Sequence, residues 1–417
     1  MTSDVMCDFP IIDISDLAEP QETPSVEVLL AVGRRVVDAF QRSGFVYLRG
    51  HGIDASLQRE TFAASRDFFA LDEASKRRFA RFEKTGFNGY TAVGGENTGR
   101  LTEADLLDLK ECYDFQVIGQ DYPDSVLPGF CQQLEQLARA CCLLSGRLLA
   151  AVQEVLLDQQ PAADSQQQAA DPQQQQQMNG NQEETDHSQV SSDVSDHPSQ
   201  LDSNKLPTDL QAVPDPPLTT ADPPLTTTEP PVTTSEPSLT SRGPLTSAHR
   251  RMLVPGGCSA LRVLNYPPVP EGAAEAGAVR CAPHTDYGSL TLLFQDQLGG
   301  LEVESADGGW RPAPPLEDAI LVNVGDLMEV WSSGRLRATK HRVVVPQQEL
   351  LRRRARQSIA MFVDPDDDVL VRPLDDDKRF APVNCGKSLR EKFAKTYPAF
   401  AEWQRSRCEE DDKARAE

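Results

Sequence analysis

A long stretch of this chain lacks the residues from which a hydrophobic core is built. Residues 158–250 contain no Phe, Tyr or Trp, and begin with a glutamine-rich tract. Four proline-containing segments then recur every seven residues, at 215–220, 222–227, 229–234 and 236–241. A seven-residue period is typical of a coiled coil, but a proline in every repeat excludes a continuous helix. Because the stretch cannot bury enough apolar surface to offset its ordering entropy, we expect a disordered insertion with some polyproline II character.

Charge and cysteine content exclude several classes of protein. The net charge is −23, and the insertion contributes −11 of it through 14 acidic and 3 basic residues. An acidic chain without a basic face is a poor candidate for nucleic-acid binding. No uninterrupted apolar run approaches membrane-spanning length, and the N-terminus does not resemble a secretory leader. The 9 cysteines, scattered without paired spacing, are typical of a reduced chain. We expect a cytoplasmic monomer without nucleic-acid or membrane partners.

Two histidines and one aspartate have the spacing of a metal site. His284 and Asp286 are two residues apart, so in an extended strand their side chains point to the same face. His341 follows later, in a run rich in β-branched residues that predicts another strand. Two imidazoles and one carboxylate form the facial triad that holds non-haem Fe(II) and leaves positions open for oxygen and substrate. A His-x-Asp pair alone is weak evidence for a metal site, because such a pair more often belongs to a turn or forms a surface hydrogen bond.

A second motif strengthens this interpretation. Arg356 and Ser358 open an apolar strand at residues 359–363 and share one face of it. A guanidinium fork and a hydroxyl suit a carboxylate bound beside a metal. The alternatives are that Arg356 is a solvated charge next to the Arg-rich run 352–354, or that the long preceding loop shifts the register to Arg354. The alternation with Ser358 favours Arg356.

The remaining histidines are expected to have no role at this site. His187, His197 and His249 fall within the insertion and lack neighbouring ligands. His51 stands between two glycines and predicts a structural turn. The predicted metal site therefore depends on His284, Asp286 and His341, which we call the triad.

Several stretches occur together in the order found in one enzyme family. They are residues 9–14, 44–53, 108–115, 264–268, 322–326 and 331–334, together with the His-Thr-Asp, Lys-His-Arg-Val and Arg-x-Ser motifs. In this combination the chain resembles the iron- and 2-oxoglutarate-dependent dioxygenases of the isopenicillin N synthase-like family. The resemblance covers most of both flanks of the insertion, and its weight lies in the ordered set of motifs.

The resemblance implies a mostly β fold with flanking α-helices, built on a double-stranded β-helix (jelly-roll) core. It implies that the triad holds Fe(II), with 2-oxoglutarate as cosubstrate and O2 as oxidant, and no catalytic residues beyond the metal ligands. Arg356, Ser358 and Tyr266 would bind the distal carboxylate of 2-oxoglutarate. An intact Asp286 favours hydroxylation or desaturation, because a related halogenating site has a small residue in its place.

This family architecture predicts four segments in the chain. Residues 1–157 would form a mixed α/β region that lines the substrate side and ends in a support helix. Residues 158–250 are the insertion, residues 251–380 the jelly-roll catalytic core, and residues 381–417 a C-terminal helix with a charged tail.

The substrate is expected to be a small molecule that enters from the side of the N-terminal region. Four aromatic residues there are candidates to line its pocket, although a place in the core is at least as consistent with them: Phe87, Tyr90, Tyr113 and Phe115. Two other functions stay open. One is an iron oxidase of the same fold that does not use 2-oxoglutarate. The other is a non-catalytic scaffold whose insertion binds protein partners.

Overall fold

The computed structural model describes residues 8–18, 23–82, 87–101, 108–116, 123–159, 243–255, 257–272 and 278–406. All of them belong to one compact unit. The predicted insertion between residues 160 and 242 lies outside the described residues, and so do His187 and His197. Disorder in that stretch stays a prediction.

The larger of two main sheets has eight strands. Neighbouring strands in it are antiparallel, except that β1 and β2 are parallel. Its strands are β1 (Ile11–Asp13), β2 (Phe45–Arg49), β3 (Gly89–Thr91), β4 (Glu111–Phe115), β5 (Ala260–Tyr266), β7 (Leu290–Gln295), β10 (Ala319–Val324) and β12 (Arg356–Val363). They lie in the order β1-β2-β10-β7-β12-β5-β4-β3. The sheet therefore joins N-terminal strands to strands from beyond the insertion.

The smaller sheet has four antiparallel strands in the order β6-β11-β8-β9. They are β6 (Cys281–His284), β8 (Leu301–Glu304), β9 (Trp310–Pro312) and β11 (His341–Val343). A short hairpin of β13 (Leu370–Val371) and β14 (Val383–Asn384) lies apart from both sheets. Apolar side chains of both main sheets share one core cluster, which includes Tyr266 and Ala360 of the larger sheet and Leu301 and Val343 of the smaller. This two-sheet sandwich confirms the predicted jelly roll.

The described residues also form helices around the two main sheets. They are α1 (Ser15–Ala18), α2 (Val26–Ser43), α3 (Ala55–Phe69), α4 (Glu73–Arg77), α5 (Phe130–Asp158), α6 (Pro244–Ala248), α7 (Asp326–Trp331), α8 (Glu349–Arg352) and α9 (Cys385–Thr396), with a 3-10 turn at Thr98–Leu101. Helices α2 and α3 both pack on α5, which contacts β4 and β12. Gly33 allows α2 to approach closely, because a Cβ there would overlap the Ala151 carbonyl of α5.

Helix α5 is the support helix that the sequence predicts. Among the described helices it is the one long and apolar enough to cross a membrane by length and composition. However, 72% of its most apolar window is buried inside the fold. Burial of this kind is what a core helix requires, so its apolar character is accounted for by packing.

The insertion is shorter at its C-terminal end than the sequence predicts. Residues 243–250 belong to the fold: α6 packs on α5, and Leu245 is fully buried. The Leu245 and Thr246 backbone amides donate to Gln153 Oε1 at 3.0 and 3.3 Å. Gln153 thus satisfies amides at the start of α6 that have no partner within the helix. A boundary at residue 250 is therefore wrong, because one apolar turn docks before β5 begins.

His249 is part of this docked segment and not of the insertion. It is buried, and its Nδ1–H donates to the Leu245 carbonyl at 2.7 Å. Its Nε2 then accepts from Ser289 Oγ at 2.9 Å. Ser289 follows Asp286 by three residues, so His249 supports the loop behind the predicted metal site. Burial lowers the pKa of His249 to about 4.

Candidate metal centre and cosubstrate pocket

The pairing of β6 with β11 brings the two predicted histidines together. His284 and His341 are register partners in this antiparallel pair, and their ring centroids lie 4.3 Å apart. Asp286 lies two residues beyond the end of β6, in the following loop and not in the strand. Its Oδ1 is 3.9 Å from His284 Nε2 and 3.7 Å from His341 Nε2. The three potential ligand atoms thus lie within 4.8 Å of one another.

Backbone carbonyls fix the tautomer of both histidines. His284 Nδ1–H donates to the Ala282 carbonyl at 2.8 Å, and His341 Nδ1–H donates to the Thr339 carbonyl at 3.2 Å. With the proton on Nδ1, each Nε2 keeps its lone pair for a metal ion. Both acceptors stand two residues before their histidine, so this orientation is built into the local chain.

Two side chains orient the Asp286 carboxylate. Thr291 Oγ1 and Asn323 Nδ2 donate to Oδ2 at 2.6 and 2.7 Å, which leaves Oδ1 directed at the histidines. Burial alone would raise the pKa of Asp286, but the positive charge of His341 or His284, when either ring is protonated, and these two hydrogen bonds hold it below its usual value. The carboxylate is thus the stable form in this buried position. Neither Thr291 nor Asn323 was predicted as part of the site.

The donor set fits Fe(II). Burial lowers the pKa of His341, and the neighbouring His284 lowers it further, so the His341 ring is neutral at physiological pH. A neutral imidazole and an ionised carboxylate are the states that bind a metal ion. Two imidazole nitrogens and one carboxylate oxygen on one side of a cavity are the ligand set of non-haem iron oxygenases.

Arg356 and Tyr266 lie side by side on neighbouring strands. They are register partners on β12 and β5, and the Arg356 guanidinium carbon is 4.8 Å from the centre of the Tyr266 ring. Ser358 Oγ is 3.3 Å from Arg356 Nη1. All three residues line one internal cavity with the triad. Arg354 is exposed, so the register shift that the long loop made conceivable has not occurred.

Among the described residues, Arg356 has no carboxylate partner although it is only 1% exposed. Its guanidinium donates to neutral acceptors: the Gly299 carbonyl, Ser358 Oγ and Gln295 Oε1. A second cation, Arg280, is fully buried nearby, and its Nε and Nη1 form no hydrogen bond. Burial lowers the pKa of Arg280 to about 10, and Arg356 contributes to the shift by repulsion. This end of the cavity is therefore electropositive and suited to an anion.

The cavity between the sheets has a volume of about 120 Å³. Besides the triad and the Arg356 end, its walls include a buried network of ion pairs. Arg262 Nε lies 2.8 Å from Asp114 and its Nη1 3.2 Å from Glu96, while Arg81 lies 2.9 Å from Asp114. Lys110 pairs with Glu96 at 3.2 Å. This network joins the N-terminal region to β5, and its ion pairs were not predicted from the sequence.

The four aromatic residues that were candidates for the substrate pocket do not line the described cavity. Tyr90, Tyr113 and Phe115 belong to the core between the larger sheet and the helices. Side chains alternate along β4, so Tyr113 and Phe115 face the helices while Asp114 faces the cavity. Phe87 packs in a separate aromatic cluster with Phe393.

His51 has the structural role that the sequence predicts. It is buried, and its Nδ1 accepts a hydrogen bond from the Ile53 amide at 3.1 Å. His51 does not line the cavity.

A jelly roll whose two sheets enclose two histidines, one carboxylate and a buried arginine defines the class of non-haem iron oxygenases. Two family models match the chain. Residues 258–365 match the 2OG-Fe(II) oxygenase superfamily, and residues 9–131 match the N-terminal domain of the non-haem dioxygenases in morphine synthesis. The chain belongs to the 2OG-Fe(II) oxygenase superfamily and is an Fe(II)- and 2-oxoglutarate-dependent dioxygenase.

Similar proteins support this assignment. A 2-oxoglutarate-Fe(II) type oxidoreductase, ppzD of Metarhizium rileyi, is 26% identical over 87% of this chain and 85% of its own length. The proline hydroxylase buaE of Petromyces alliaceus is 28% identical over 81% of this chain and 82% of its own length. Gibberellin 20 oxidase 2 of Oryza sativa is 44% identical, but over only 28% of this chain and 27% of its own length.

Solved structures share the fold. A full-length Neurospora crassa protein in complex with alpha-KG and thymine superposes with a TM-score of 0.60 at 22% identity, over 94% of this chain and 98% of that one. JOX2 in complex with 2OG, Fe and JA superposes with a TM-score of 0.58 at 18% identity, over 93% of this chain and 85% of that one.

Proposed function

We propose that the triad binds Fe(II) through His284 Nε2, Asp286 Oδ1 and His341 Nε2. The observation that carries this proposal is the convergence of these three atoms within 4.8 Å, each held by a hydrogen bond on its other side. The fixed tautomers and the oriented carboxylate reduce the reorganisation that metal binding would require. When bound, Fe(II) supplies activation of O2 coupled to decarboxylation of 2-oxoglutarate to succinate and CO2.

We further propose that Arg356, Ser358 and Tyr266 hold the distal carboxylate of 2-oxoglutarate. The buried Arg356 lacks a counter-ion among the described residues, and an anion would supply one. Ser358 Oγ and the Tyr266 hydroxyl are neutral donors at the same end of the cavity. The electropositive end thus orients the cosubstrate, with its keto acid directed at the triad. Because these residues are buried, water is excluded from the reacting groups.

The substrate is a small molecule that is hydroxylated or desaturated at a C–H bond near the triad. The internal cavity supports this size class. The similar structures are complexes with small molecules, thymine in the Neurospora crassa protein and JA in JOX2. Asp286 is intact, which fits oxygen insertion or desaturation.

The test is a metabolite screen with the purified full-length protein, Fe(II), 2-oxoglutarate and O2. Release of succinate that depends on Fe(II), O2 and one metabolite is expected, and His341→Ala should abolish it. Substrate oxidation that consumes O2 without 2-oxoglutarate would establish the oxidase alternative instead. Partner binding by the insertion stays a prediction that this screen does not address.

A further inference from the structure

The face of β12 that lines the cavity carries opposite charges at its two ends. Side chains alternate along the strand, so Arg356, Ser358, Ala360 and Phe362 all line the cavity, and Asp364 continues the series just beyond the strand. Eight residues of extended chain span roughly 26 Å at about 3.3 Å per residue. The cosubstrate end is thus cationic, and the opposite end of the same wall presents a carboxyl group.

The position of Asp364 is fixed by its neighbours. Its amide donates to Ser259 Oγ, and Ser259 Oγ donates in turn to the Asp364 carbonyl, both at 3.0 Å. The carboxyl lies against Gly288, where a Cβ would overlap it. Gly288 is two residues from Asp286 in the same loop, so the Asp364 carboxyl lies next to the loop that carries the proposed iron ligand.

The Asp364 carboxyl makes no hydrogen bond or ion pair with any residue that the structure describes, although only 6% of the residue is exposed. Asp364 begins an acidic run that continues at residues 366–368. Two of its neighbours in this run form ion pairs. Asp366 lies 3.2 Å from Arg251, and Asp367 lies 2.7 Å from Arg390. Burial, together with the negative charge of Asp286, raises the pKa of Asp364 to about 7. The positive charge of Lys392 opposes this shift, but its ammonium group forms its ion pair with Asp326 and not with Asp364.

The bases near this end of the cavity are already paired with other acids. Arg81 and Arg262 pair with Asp114, as described above, and Lys110 pairs with both Glu96 and Asp108. A further base, Lys392 of α9, forms its ion pair with Asp326. Apart from the triad, Asp364 is the carboxyl group of the described cavity wall that forms no ion pair.

We propose that Asp364 binds a cationic nitrogen of the primary substrate, such as a protonated amine, and thereby sets substrate specificity. A cationic ligand would give the buried carboxylate the direct ion pair that it lacks among the described residues, and a charge-assisted hydrogen bond is the strongest contact available there. The apolar side chains of Leu389 and Phe393 line the same cavity and suit the carbon skeleton of such an amine. This inference rests on the proposed function, because it concerns the substrate of the same site.

The experiment uses the full-length protein loaded with Fe(II) and 2-oxoglutarate under anaerobic conditions, so that binding is measured without turnover. A panel of primary and secondary amines of four to eight carbons is titrated by calorimetry, each beside its hydroxyl and carboxylate isosteres. At least one amine should bind at least tenfold more tightly than both isosteres. Asp364→Asn should weaken the binding of that amine at least tenfold and leave the affinity for its hydroxyl isostere unchanged. Asp367→Asn, in the same acidic run, should change neither affinity.

The inference is overturned if no amine binds more tightly than its isosteres, or if Asp364→Asn leaves the preference intact. The comparison of ligands on the unaltered protein does not depend on the folding of any variant. Binding of 2-oxoglutarate to the Fe(II) protein is measured in the same samples. Loss of that binding would contradict the proposed function, whereas intact 2-oxoglutarate binding without amine preference would contradict only the role of Asp364.

Discussion

His284 and His341 face each other as register partners across β6 and β11, with ring centroids 4.3 Å apart. They are 57 positions apart in the sequence, so strand pairing and not a local motif creates the site. Asp286 reaches the same point from the loop after β6. The geometry of the proposed iron centre therefore depends on the pairing of β6 with β11, and disruption of this pair should remove all metal binding.

Arg356→Gln should weaken 2-oxoglutarate binding at least roughly tenfold, because a charge-assisted contact contributes about 1.5–3 kcal/mol and each 1.4 kcal/mol is a factor of ten. Fe(II) affinity should barely change, since Arg356 is not a proposed ligand. The measurement is anaerobic titration of 2-oxoglutarate into the Fe(II) protein. Arg354→Gln is the matched control and should be silent, because Arg354 is exposed. A larger effect from Arg354→Gln would show that the anchor is misplaced.

Asn323→Ala should lower Fe(II) affinity by about tenfold to a hundredfold, the usual effect of removing a partner that orients a metal ligand. Asn323 donates to Asp286 Oδ2, and its loss frees the carboxylate to rotate. Asn265→Ala is a suitable control, because Asn265 is also buried but bonds Glu111. Equal Fe(II) affinities in the two variants would contradict a role for Asn323 in orienting the metal ligand.

Asp364 should make the stability of the metal-free protein fall as pH rises. Its pKa is raised from 3.8 to about 7, so the folded state holds the proton more tightly than the unfolded chain does. The stabilisation is fully present below about pH 4 and is lost as pH rises through 7, with a total on the order of 4 kcal/mol. Denaturant unfolding at pH 5 and pH 8 should show a smaller difference in the free energy of unfolding in Asp364→Asn than in the unaltered protein. An unchanged difference between the two pH values contradicts this account.

Removal of residues 165–240 with a short flexible linker should preserve the melting temperature and the activity, since that stretch lacks core-forming residues. Extending the deletion to residue 250 should destabilise the protein, because it removes the buried Leu245 and His249. Burial of one leucine alone contributes about 1.5–3 kcal/mol. Thermal unfolding of both deletions distinguishes a dispensable insertion from a packed one.

The charged end of the site was predictable from the sequence because it follows a simple rule. Arg356 and Ser358 alternate on one strand, and β12 places them together as predicted. The same period-two rule, continued for three more steps, reaches Asp364. The signal for this residue was therefore present in the sequence, but one charge in a run of acids was no reason to separate it from its neighbours.

The pocket walls were not predictable in the same way. Both faces of β4 are buried, so burial alone cannot tell which one faces the cavity. Here the cavity is the polar face: Asp114 points into it and Tyr113 into the core. The candidates Tyr113 and Phe115 therefore lie on the face of β4 that packs against the helices, and not on the face that lines the cavity. The ion pairs of Arg262 with Asp114 and Glu96 join residues distant in sequence, and only the fold brings them together.

The most direct test of the proposed centre is anaerobic titration of Fe(II) into the metal-free, full-length protein, followed by calorimetry. The unaltered protein should bind one Fe(II) per chain and should then bind 2-oxoglutarate. Asp286→Ala and His284→Ala should lose Fe(II) binding while they unfold cooperatively, and the exposed Asp307→Ala should behave as the unaltered protein. Near-native Fe(II) affinity in Asp286→Ala or His284→Ala would contradict the assignment of the triad.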